Sequence, residues 1–221
     1  MPDRGDTQTI FLLSPAHSGG KRAQMVLKEQ APFPLAVRLR EQGAPIGELF
    51  SFMSGLYFRG KLAYGRAFAR ARAAPDGVLV IVPGLGLVPP ERVVTVADLE
   101  TIASIGVAAD DARFRGPLDR DAKALAARIS GADRVVLLGS IATDKYVEPL
   151  EQHVGAHLHF PAEFVGRGDM SRGGLMLRCV QSGDELSYVR IAGATRRGPR
   201  PARLERMESG LVGLRSARRL T

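Results

Sequence analysis

The sequence predicts a three-layer α/β domain with a short, mostly parallel central sheet and a basic C-terminal tail. Three short and almost entirely apolar runs, at 9–13, 78–82 and 134–138, have the length of strands. Such runs are expected where helices cover both faces of a parallel sheet. The longer segments between them repeat apolar residues at helical spacing, so strands and helices alternate along the chain.

The first half of the chain is expected to be mainly helical between its first two strands. A helix over 20–30 ends before two prolines, which interrupt helical hydrogen bonding. A long helical region over 45–73 follows, and Gly55 and Gly60 could divide it into two helices. After the second strand, the residues 84–90 are expected to form a loop.

The second half continues the same alternation. Helices over 97–104 and 118–130 precede the third strand, and a helix over 142–154 follows it. A brief strand at 157–160 then ends at a proline.

The sequence is compatible with two local structures for the residues 170–182. The segment could be a helix, or it could form a hairpin with 185–191. Asp169 could cap the helix, and Leu175 and Cys179 would then lie on one helical face. The helix is therefore preferred.

The charge of the chain is concentrated at its C-terminal end. The 221 residues are 45% hydrophobic, enough for one sizeable core, and their formal net charge is +8. The segment 196–221 has eight arginines and two glutamates, a net +6, which leaves +2 for the residues before it. We expect a single domain over 1–195 and a flexible basic tail over 196–221. The tail could bind nucleic-acid phosphates or could be a solvated extension. Its candidate contacts are Arg196, Arg197, Arg200 and Arg203.

The composition argues against a secreted or membrane-spanning protein. Cys179 is the single cysteine, which excludes an intramolecular disulfide and fits a reducing cytosol. No apolar run approaches the length needed to span a bilayer, and the first run is too short for a signal peptide. We expect a cytoplasmic protein that has no membrane partner.

The histidines do not predict a metal site. His157 and His159 could share a strand face, but neither a cysteine nor a third ligand follows at a standard zinc spacing. His153 lies near a predicted helix C-terminus, where a histidine is commonly a favourable capping charge. We expect no bound metal.

Polar and basic residues follow the predicted strands, at the edge where parallel sheets bind ligands. After the first strand, Ser14, two glycines, Lys21 and Arg22 resemble a phosphate-binding turn, although the Walker A spacing is absent. After the third strand come Gly139 and Lys145. Helix capping or turn formation would explain each segment alone. Their position at one edge of the sheet favours a shared phosphate-binding pocket.

The segment 164–177, FVGRGDMSRGGLML, has the composition of an anion-binding loop. Glycines let backbone N–H groups approach a ligand, and arginine guanidinium groups match phosphate or carboxylate oxygens. A surface loop with solvated arginines is the alternative. The residues of this segment predicted to bind phosphate are Arg167, Gly168, Ser171, Arg172 and Gly173.

Asp169 and Glu163 are the candidate catalytic residues. A carboxylate between Arg167 and Arg172 is expected to stay ionised. This suits orienting a ribose hydroxyl or stabilising a cationic sugar transition state. A structural ion pair would fit the same pattern.

The sequence YFRGK at 57–61 combines aromatic and basic side chains. Tyr57 could stack on a nucleobase while the adjacent charges hold phosphate. In the alternative, Tyr57 and Phe58 belong to the core, and Arg59 and Lys61 are solvated.

Four segments occur in an order that resembles the peroxide-stress protein YaaA family and related uncharacterised bacterial proteins: FLLSPA, LFSFMSGLYFRG, VPGLGLVPPERV and LGSIATDKY. FLLSPA resembles the N-terminal strand and Ser-Pro-Ala turn of that family, and LGSIATDKY resembles its Ala-Ser-x-x-Tyr segment. The resemblance covers about the first 150 residues, while GRGDMSRGG departs from the YaaA pattern. It implies a mixed α/β cytosolic protein associated with DNA binding and oxidative stress, without an established reaction.

These features support three functional hypotheses. The first is a nucleotide- or nucleic-acid-directed protein with a phosphate-binding pocket, acting as an enzyme at a nucleobase, sugar or phosphate linkage. The second is a non-catalytic DNA-binding stress-response protein that uses the basic tail. The third is an enzyme for a small acid whose carboxylate occupies the same cradle. The motifs name neither a cofactor nor an oligomeric state.

Overall fold

The computed structural model of the chain describes residues 7–72 and 77–204. It confirms the predicted fold class, because a mostly parallel sheet lies between two layers of helices. The strands of this sheet, in spatial order, are β4 (Gly86–Val88), β3 (Val78–Val82), β1 (Thr9–Leu13), β6 (Arg134–Leu138), β7 (Leu158–Pro161) and β8 (Tyr188–Arg190). The inner strands β3, β1, β6 and β7 pair in parallel, and the edge strands β4 and β8 are antiparallel to their neighbours.

The helices cover both faces of the sheet. On the first face lie α1 (Lys21–Leu27), α2 (Pro34–Gln42), α3 (Ile46–Ser54), α4 (Leu56–Phe68), α5 (Val96–Ser104) and α8 (Asp169–Ser182). On the second face lie α6 (Ala112–Ala126) and α7 (Asp144–Val154). Two short strands, β2 (Ala44–Pro45) and β5 (Val93–Val94), pair with each other outside the main sheet. None of the helices in the described ranges combines the length and the apolar character that crossing a membrane requires.

The central strand β1 supplies side chains to both hydrophobic cores. Phe11 and Leu13 pack with the helices of the first face, whereas Ile10 and Leu12 pack with those of the second. All four side chains are buried. This two-sided burial explains why the strand is continuously apolar rather than alternating.

A buried carboxylate fixes the amino ends of β1 and β6. Asp133 accepts hydrogen bonds from the backbone N–H and side-chain amide of Gln8 and from the guanidinium of Arg72. Burial alone would raise the pKa of Asp133, but the hydrogen bonds from Arg72, Gln8 and Ser130 outweigh it and lower the pKa to about 2. The network anchors the edge of the sheet opposite to the one where ligands are expected.

Among the elements that differ from the prediction, three have a clear local cause. The residues 84–90 are not simply a loop, because β4 pairs with β3 in the wider sheet. Helix α2 was not predicted, since Pro34 was expected only to interrupt a helix; it is the first residue of α2, where its missing N–H costs nothing. Helix α6 begins before 118, because the Asp111 carboxylate accepts a hydrogen bond from the backbone N–H of Arg113 and caps it.

Of the two glycines expected to divide the region 45–73, only Gly55 does so. Gly55 separates α3 from α4 with a φ of 62°, while Gly60 lies inside α4. A Cβ on Gly60 would lie 2.7 Å from the carbonyl oxygen of Gly173 in α8, and a Cβ on Gly173 would lie 2.8 Å from that of Leu56. The two glycines therefore let the backbones of α4 and α8 approach closely.

The helix preferred for 170–182 is confirmed. Helix α8 buries Arg172, Gly173, Met176 and Cys179. The hairpin alternative is wrong for this segment, because β8 pairs with β7 instead.

Replacing Gly173 by alanine tests the close approach of α4 and α8. Gly173→Ala is expected to destabilise the protein by about 1–3 kcal/mol, because its methyl group overpacks against the backbone of α4. The matched control is Gly174→Ala, whose Cβ would meet the side chain of Leu204 at an ordinary 3.6 Å. Alanine there is expected to be neutral or stabilising. Urea unfolding measures the free energy of unfolding of both variants. Equal values for Gly173→Ala and Gly174→Ala would contradict the close packing of α4 and α8.

Candidate functional site

A cavity of about 470 Å³ lies at the carboxyl-terminal edge of the parallel strands. The loops that follow β1, β3 and β6 all reach it. Its lining consists of Ser14, Pro15, Ala16, His17, Ser18, Gly19, Met53, Ser54, Tyr57, Pro83, Ile102, Ala103, Gly106, Val107, Ser140, Lys145, Tyr146 and Asp169.

The topology of the sheet explains the position of the cavity. Strands β1 and β6 are neighbours, but the chain continues from β1 to β3 on one side and from β6 to β7 on the other. The loops after β1 and β6 therefore diverge and leave a crevice between them. Ser14 and Ser140 come from these two loops and both line the cavity. Open α/β sheets bind ligands at such a switch point.

Four predicted site residues line this cavity: Ser14, Tyr57, Lys145 and Asp169. They come from the loop after β1 and from α4, α7 and α8 respectively. The half-buried Lys145 has its Nζ 5.0 Å from the centre of the Tyr146 ring. Asp169 is exposed as the first residue of α8.

Ser14 is held rigidly at the base of the cavity. Its backbone N–H donates to the carbonyl oxygen of Leu138 over 3.2 Å, and its Oγ lies 3.4 Å from the same oxygen. The Nζ of Lys61 lies 2.9 Å from the Ser14 Oγ and 2.5 Å from its carbonyl oxygen. A Cβ on Gly139 would lie 2.9 Å from the Ser14 Cβ, so the small residue makes room for this arrangement.

Lys61 is the residue that sequence reasoning missed. It was expected in solvent or on a ligand phosphate, but its side chain is only 1% exposed. Its Nζ lies 4.4 Å from the centre of the Tyr57 ring and 4.9 Å from that of Phe58. The sequence does contain a signal for the burial of Lys61. Residues four apart share a helical face, and Tyr57, four residues before Lys61, was a candidate core residue.

Burial controls the protonation of Lys61. Loss of solvation lowers the pKa of Lys61 to about 7; Asp169 raises it and Arg172 lowers it further, both by smaller amounts. No carboxylate among the residues 7–72 and 77–204 forms an ion pair with the ammonium group. Lys61 therefore exchanges a proton near neutral pH.

Two buried phenols line the cavity, and one of them, Tyr57, lies beside this lysine. Burial raises the pKa of Tyr57 to about 12, against the opposing effect of the Arg172 guanidinium. Its hydroxyl has no hydrogen-bond partner of acceptable geometry among the described residues. Burial likewise raises the pKa of Tyr146, with smaller contributions from Tyr57 and Asp169. Both phenols stay protonated, and the Tyr57 O–H has no acceptor among the described residues.

Arg172 does not line the cavity. Its buried guanidinium donates from Nε and Nη2 to the carbonyl oxygen of Phe164, over 3.2 and 3.0 Å, and lies 5.4 Å from the Phe164 ring centre. Its Nη1 is 3.7 Å from the Asp169 carboxylate. Arg172 thus fixes the turn before α8, and Gly173 beside it packs against α4.

The other site candidates in and beside the segment 164–177 bond to neighbouring residues of the protein. Arg167 donates to the carbonyl oxygen of Glu163 over 3.0 Å and to the Oγ of Ser171 over 3.3 Å. The Glu163 Oε1 accepts from the backbone N–H of Ser187. Gly168 directly precedes α8. These four candidates lie outside the cavity lining, so the segment contributes only Asp169 to it.

Lys21 and Arg22 also lie outside the cavity lining. Lys21 is exposed at the start of α1. The Nη1 of Arg22 donates to the carbonyl oxygen of Phe52 over 3.2 Å.

The described part of the basic segment runs along the domain. Arg196 pairs with Asp144 at 2.5 Å and with Glu151 at 3.7 Å. Arg197 donates to the carbonyl oxygen of Ala142 over 3.2 Å, whereas Arg200 and Arg203 are exposed. The residues 205–221 lie outside the described ranges, so a flexible tail stays a prediction.

Each of the three histidines near the end of α7 has a local partner. The His153 Nε2 lies 3.2 Å from the Asp119 carboxylate, and the His157 Nδ1 lies 2.9 Å from the Asp133 carbonyl oxygen. The His159 Nδ1 lies 2.7 Å from the His157 carbonyl oxygen. Within the described residues, no three His, Cys, Asp or Glu side chains form a group that could hold a metal ion.

The pH dependence of stability tests the burial of Lys61. Above about pH 7 the folded protein holds neutral Lys61, whereas the unfolded chain keeps it protonated up to its ordinary pKa of 10.5. Unfolding then takes up a proton, so the free energy of unfolding rises with pH, by at most about 1.4 kcal/mol per pH unit. Below about pH 7 both states are protonated and this slope disappears.

Lys61→Met is expected to remove this slope between about pH 7 and about pH 9. Chemical unfolding at several pH values measures it, with Lys123→Met as a control because Lys123 is exposed on α6. The same slope in wild type and Lys61→Met would contradict a neutral buried lysine.

Comparison of the chain with protein-family models, with curated proteins and with solved structures finds no significant match. The resemblance to the YaaA family stays a prediction that rests on its short motifs. The candidate site is accordingly defined by the geometry of this chain alone: a switch-point cavity with a serine, a buried lysine, two phenols and a half-buried lysine.

Proposed function

We propose that this chain is a nucleotide-directed protein whose ligand occupies the cavity at the switch point between β1 and β6. One observation carries the proposal: loops from adjacent parallel strands border one crevice that combines Lys145 with hydroxyl, aromatic and aliphatic side chains. Cavities at this place in open α/β sheets commonly bind nucleotides.

The size and lining of the cavity fit a mononucleotide. Its volume of about 470 Å³ lies within the range of small-molecule sites. Met53, Ile102 and Val107 offer an apolar wall against which a base could pack, and the Tyr57 hydroxyl offers a hydrogen bond. Lys145 is the single lysine or arginine among the described lining residues, which favours one phosphate over a polyphosphate.

Asp169 supports a sugar-binding role at the same site. Its carboxylate is exposed at the cavity, where it could accept hydrogen bonds from ribose hydroxyls. Ser14, Lys145 and Asp169 thus supply contacts for hydroxyl and phosphate groups. Lys21, Arg167, Ser171 and Arg172 have no part in this proposal, because they lie outside the cavity lining.

The alternative of a DNA-binding tail has less support from the described residues. Arg196 is engaged with Asp144 and Glu151, so part of its charge is neutralised within the domain. Phosphate-backbone binding requires cations that face the nucleic acid. The mononucleotide proposal therefore takes precedence.

The proposal is tested by calorimetric titration with nucleoside monophosphates and with the corresponding nucleosides. Lys145→Ala is expected to weaken monophosphate binding by about tenfold or more, since a charge-assisted hydrogen bond contributes about 1.5–3 kcal/mol. Nucleoside binding should change little, because the lost contact is to phosphate.

Lys123→Ala is the matched control, since it removes an exposed lysine outside the cavity. If Lys145→Ala lowered the affinity for the nucleoside as much as that for the monophosphate, the phosphate role of Lys145 would be contradicted. The proposal would be overturned in favour of the tail if the protein bound short DNA but no mononucleotide, and if Lys145→Ala left the DNA affinity unchanged. Binding of small carboxylic acids alone would favour an acid substrate.

A further inference from the structure

We infer that Ser14 is a catalytic nucleophile and Lys61 is its general base, forming a pair that transfers acyl groups from ester substrates. The inference shares its cavity with the proposed function but does not depend on a nucleotide ligand. It rests on Ser14, a serine that lines the cavity and whose hydroxyl contacts a buried amine.

The geometry of the pair is that of a nucleophile and its base. The Ser14 Oγ and the Lys61 Nζ are 2.9 Å apart, within the range required for direct proton transfer. Ser14 lines the cavity while Lys61 lies beneath it with 1% exposure. Ser14 is thus the residue at which a ligand in the cavity and the buried amine of Lys61 can meet.

The orientation of the pair is fixed by further contacts. The Lys61 Nζ also donates to the Ser14 carbonyl oxygen over 2.5 Å, and the backbone N–H of Ser14 is bonded to Leu138. Neutral Lys61 keeps one N–H for this carbonyl and directs its lone pair to the hydroxyl. In the structure the Lys61 Nζ donates to the Ser14 Oγ, whose own O–H donates to the Leu138 carbonyl oxygen over 3.4 Å. Once Lys61 is neutral, the Oγ–H turns from Leu138 to donate to Nζ, and the serine is prepared for attack.

The charges around Lys61 allow it to act as a base. From α8, the Arg172 guanidinium opposes protonation of Lys61 and the Asp169 carboxylate favours it, while Tyr57 and Phe58 of α4 present uncharged rings. Burial is the largest effect and favours the neutral amine. Serine nucleophiles activated by a lysine are an established variant of the serine triad chemistry.

The reaction on an ester is balanced by these two side chains and water. The Ser14 Oγ bonds to the carbonyl carbon and its proton moves to the Lys61 Nζ. The bond from that carbon to the leaving alkoxide breaks, and Lys61 returns the proton to the alkoxide. The oxygen of a water molecule then bonds to the acyl carbon while Lys61 takes a proton from the water. The bond from that carbon to the Ser14 Oγ breaks, Lys61 returns the proton to Oγ, and the carboxylic acid leaves.

An acyl carbon suits this site better than a phosphoryl group. Phosphoryl transfer relies on several cations or metal ions around the transferred group. Lys145 is the single lysine or arginine among the described residues that line the cavity. An acyl carbonyl needs less positive charge, and the Tyr57 O–H is a buried donor without an acceptor among the described residues.

Covalent labelling tests the pair directly. A fluorophosphonate probe reacts with an activated serine by forming an Oγ–P bond and releasing fluoride, and intact mass and peptide mapping locate the adduct. One adduct on Ser14 is expected, with a rate that rises with pH and reaches half its maximum near pH 7 as Lys61 loses its proton. Lys61→Met should slow labelling by about a hundredfold or more.

Ser14→Ala provides the control for location, because Ser18, Ser54 and Ser140 remain in the cavity of this variant. Loss of the adduct shows that the contact with Lys61, rather than position in the cavity, makes the serine reactive. The wild-type pH profile gives a second measurement that does not depend on whether the Lys61 variant folds.

Three results with the wild-type protein would overturn the inference: no labelling, an adduct on a residue other than Ser14, or a labelling rate without an inflection near pH 7. Near wild-type labelling of folded Lys61→Met would also overturn it and leave Lys61 as a structural clamp on the Ser14 carbonyl. Labelling without mononucleotide binding would support the pair and count against the proposed function, so the two can fail separately.

Discussion

The close approach of α4 and α8 at Gly60 and Gly173 determines what lies beneath the cavity. Because no side chain separates the two backbones there, α4 and α8 can bury charged groups between them and the sheet. Lys61 comes from α4 and Arg172 from α8, and both have lost most of their hydration. A buried cation is unfavourable unless its donors are satisfied or its charge is removed.

The two buried cations meet this requirement in different ways. Arg172 directs two N–H groups to the Phe164 carbonyl, so it stabilises a turn. Lys61 can release its proton, because burial brings its pKa to about 7. The arginine thus holds the start of α8 in place, whereas the lysine changes its charge beside the Ser14 hydroxyl. A chemically reactive lysine and a structural arginine are supported by one helix pair.

The sequence was most informative where local patterns determine structure. The apolar runs predicted β1, β3 and β6 because each is buried on both faces, and this placed Ser14 and Lys145 at one edge of the sheet. The role of the segment 164–177 was harder to predict. Gly173 is required by the close packing of α8 against α4, which is distant in sequence, and Arg172 binds a carbonyl oxygen of the turn before α8. Lys61 was missed for the same reason: only tertiary packing shows that it is buried.

The path of residues 196–204 has a consequence for how the protein can be shortened. Arg196 binds α7, the Pro199 carbonyl lies against Gly166, and Leu204 lies near Gly174 of α8. This segment therefore bridges α7 and α8, the two helices that contribute Lys145 and Asp169. Removing it would loosen the walls of the cavity as well as subtract positive charge. A weaker interaction in a truncated protein would report that altered architecture even if no arginine ever touched a ligand.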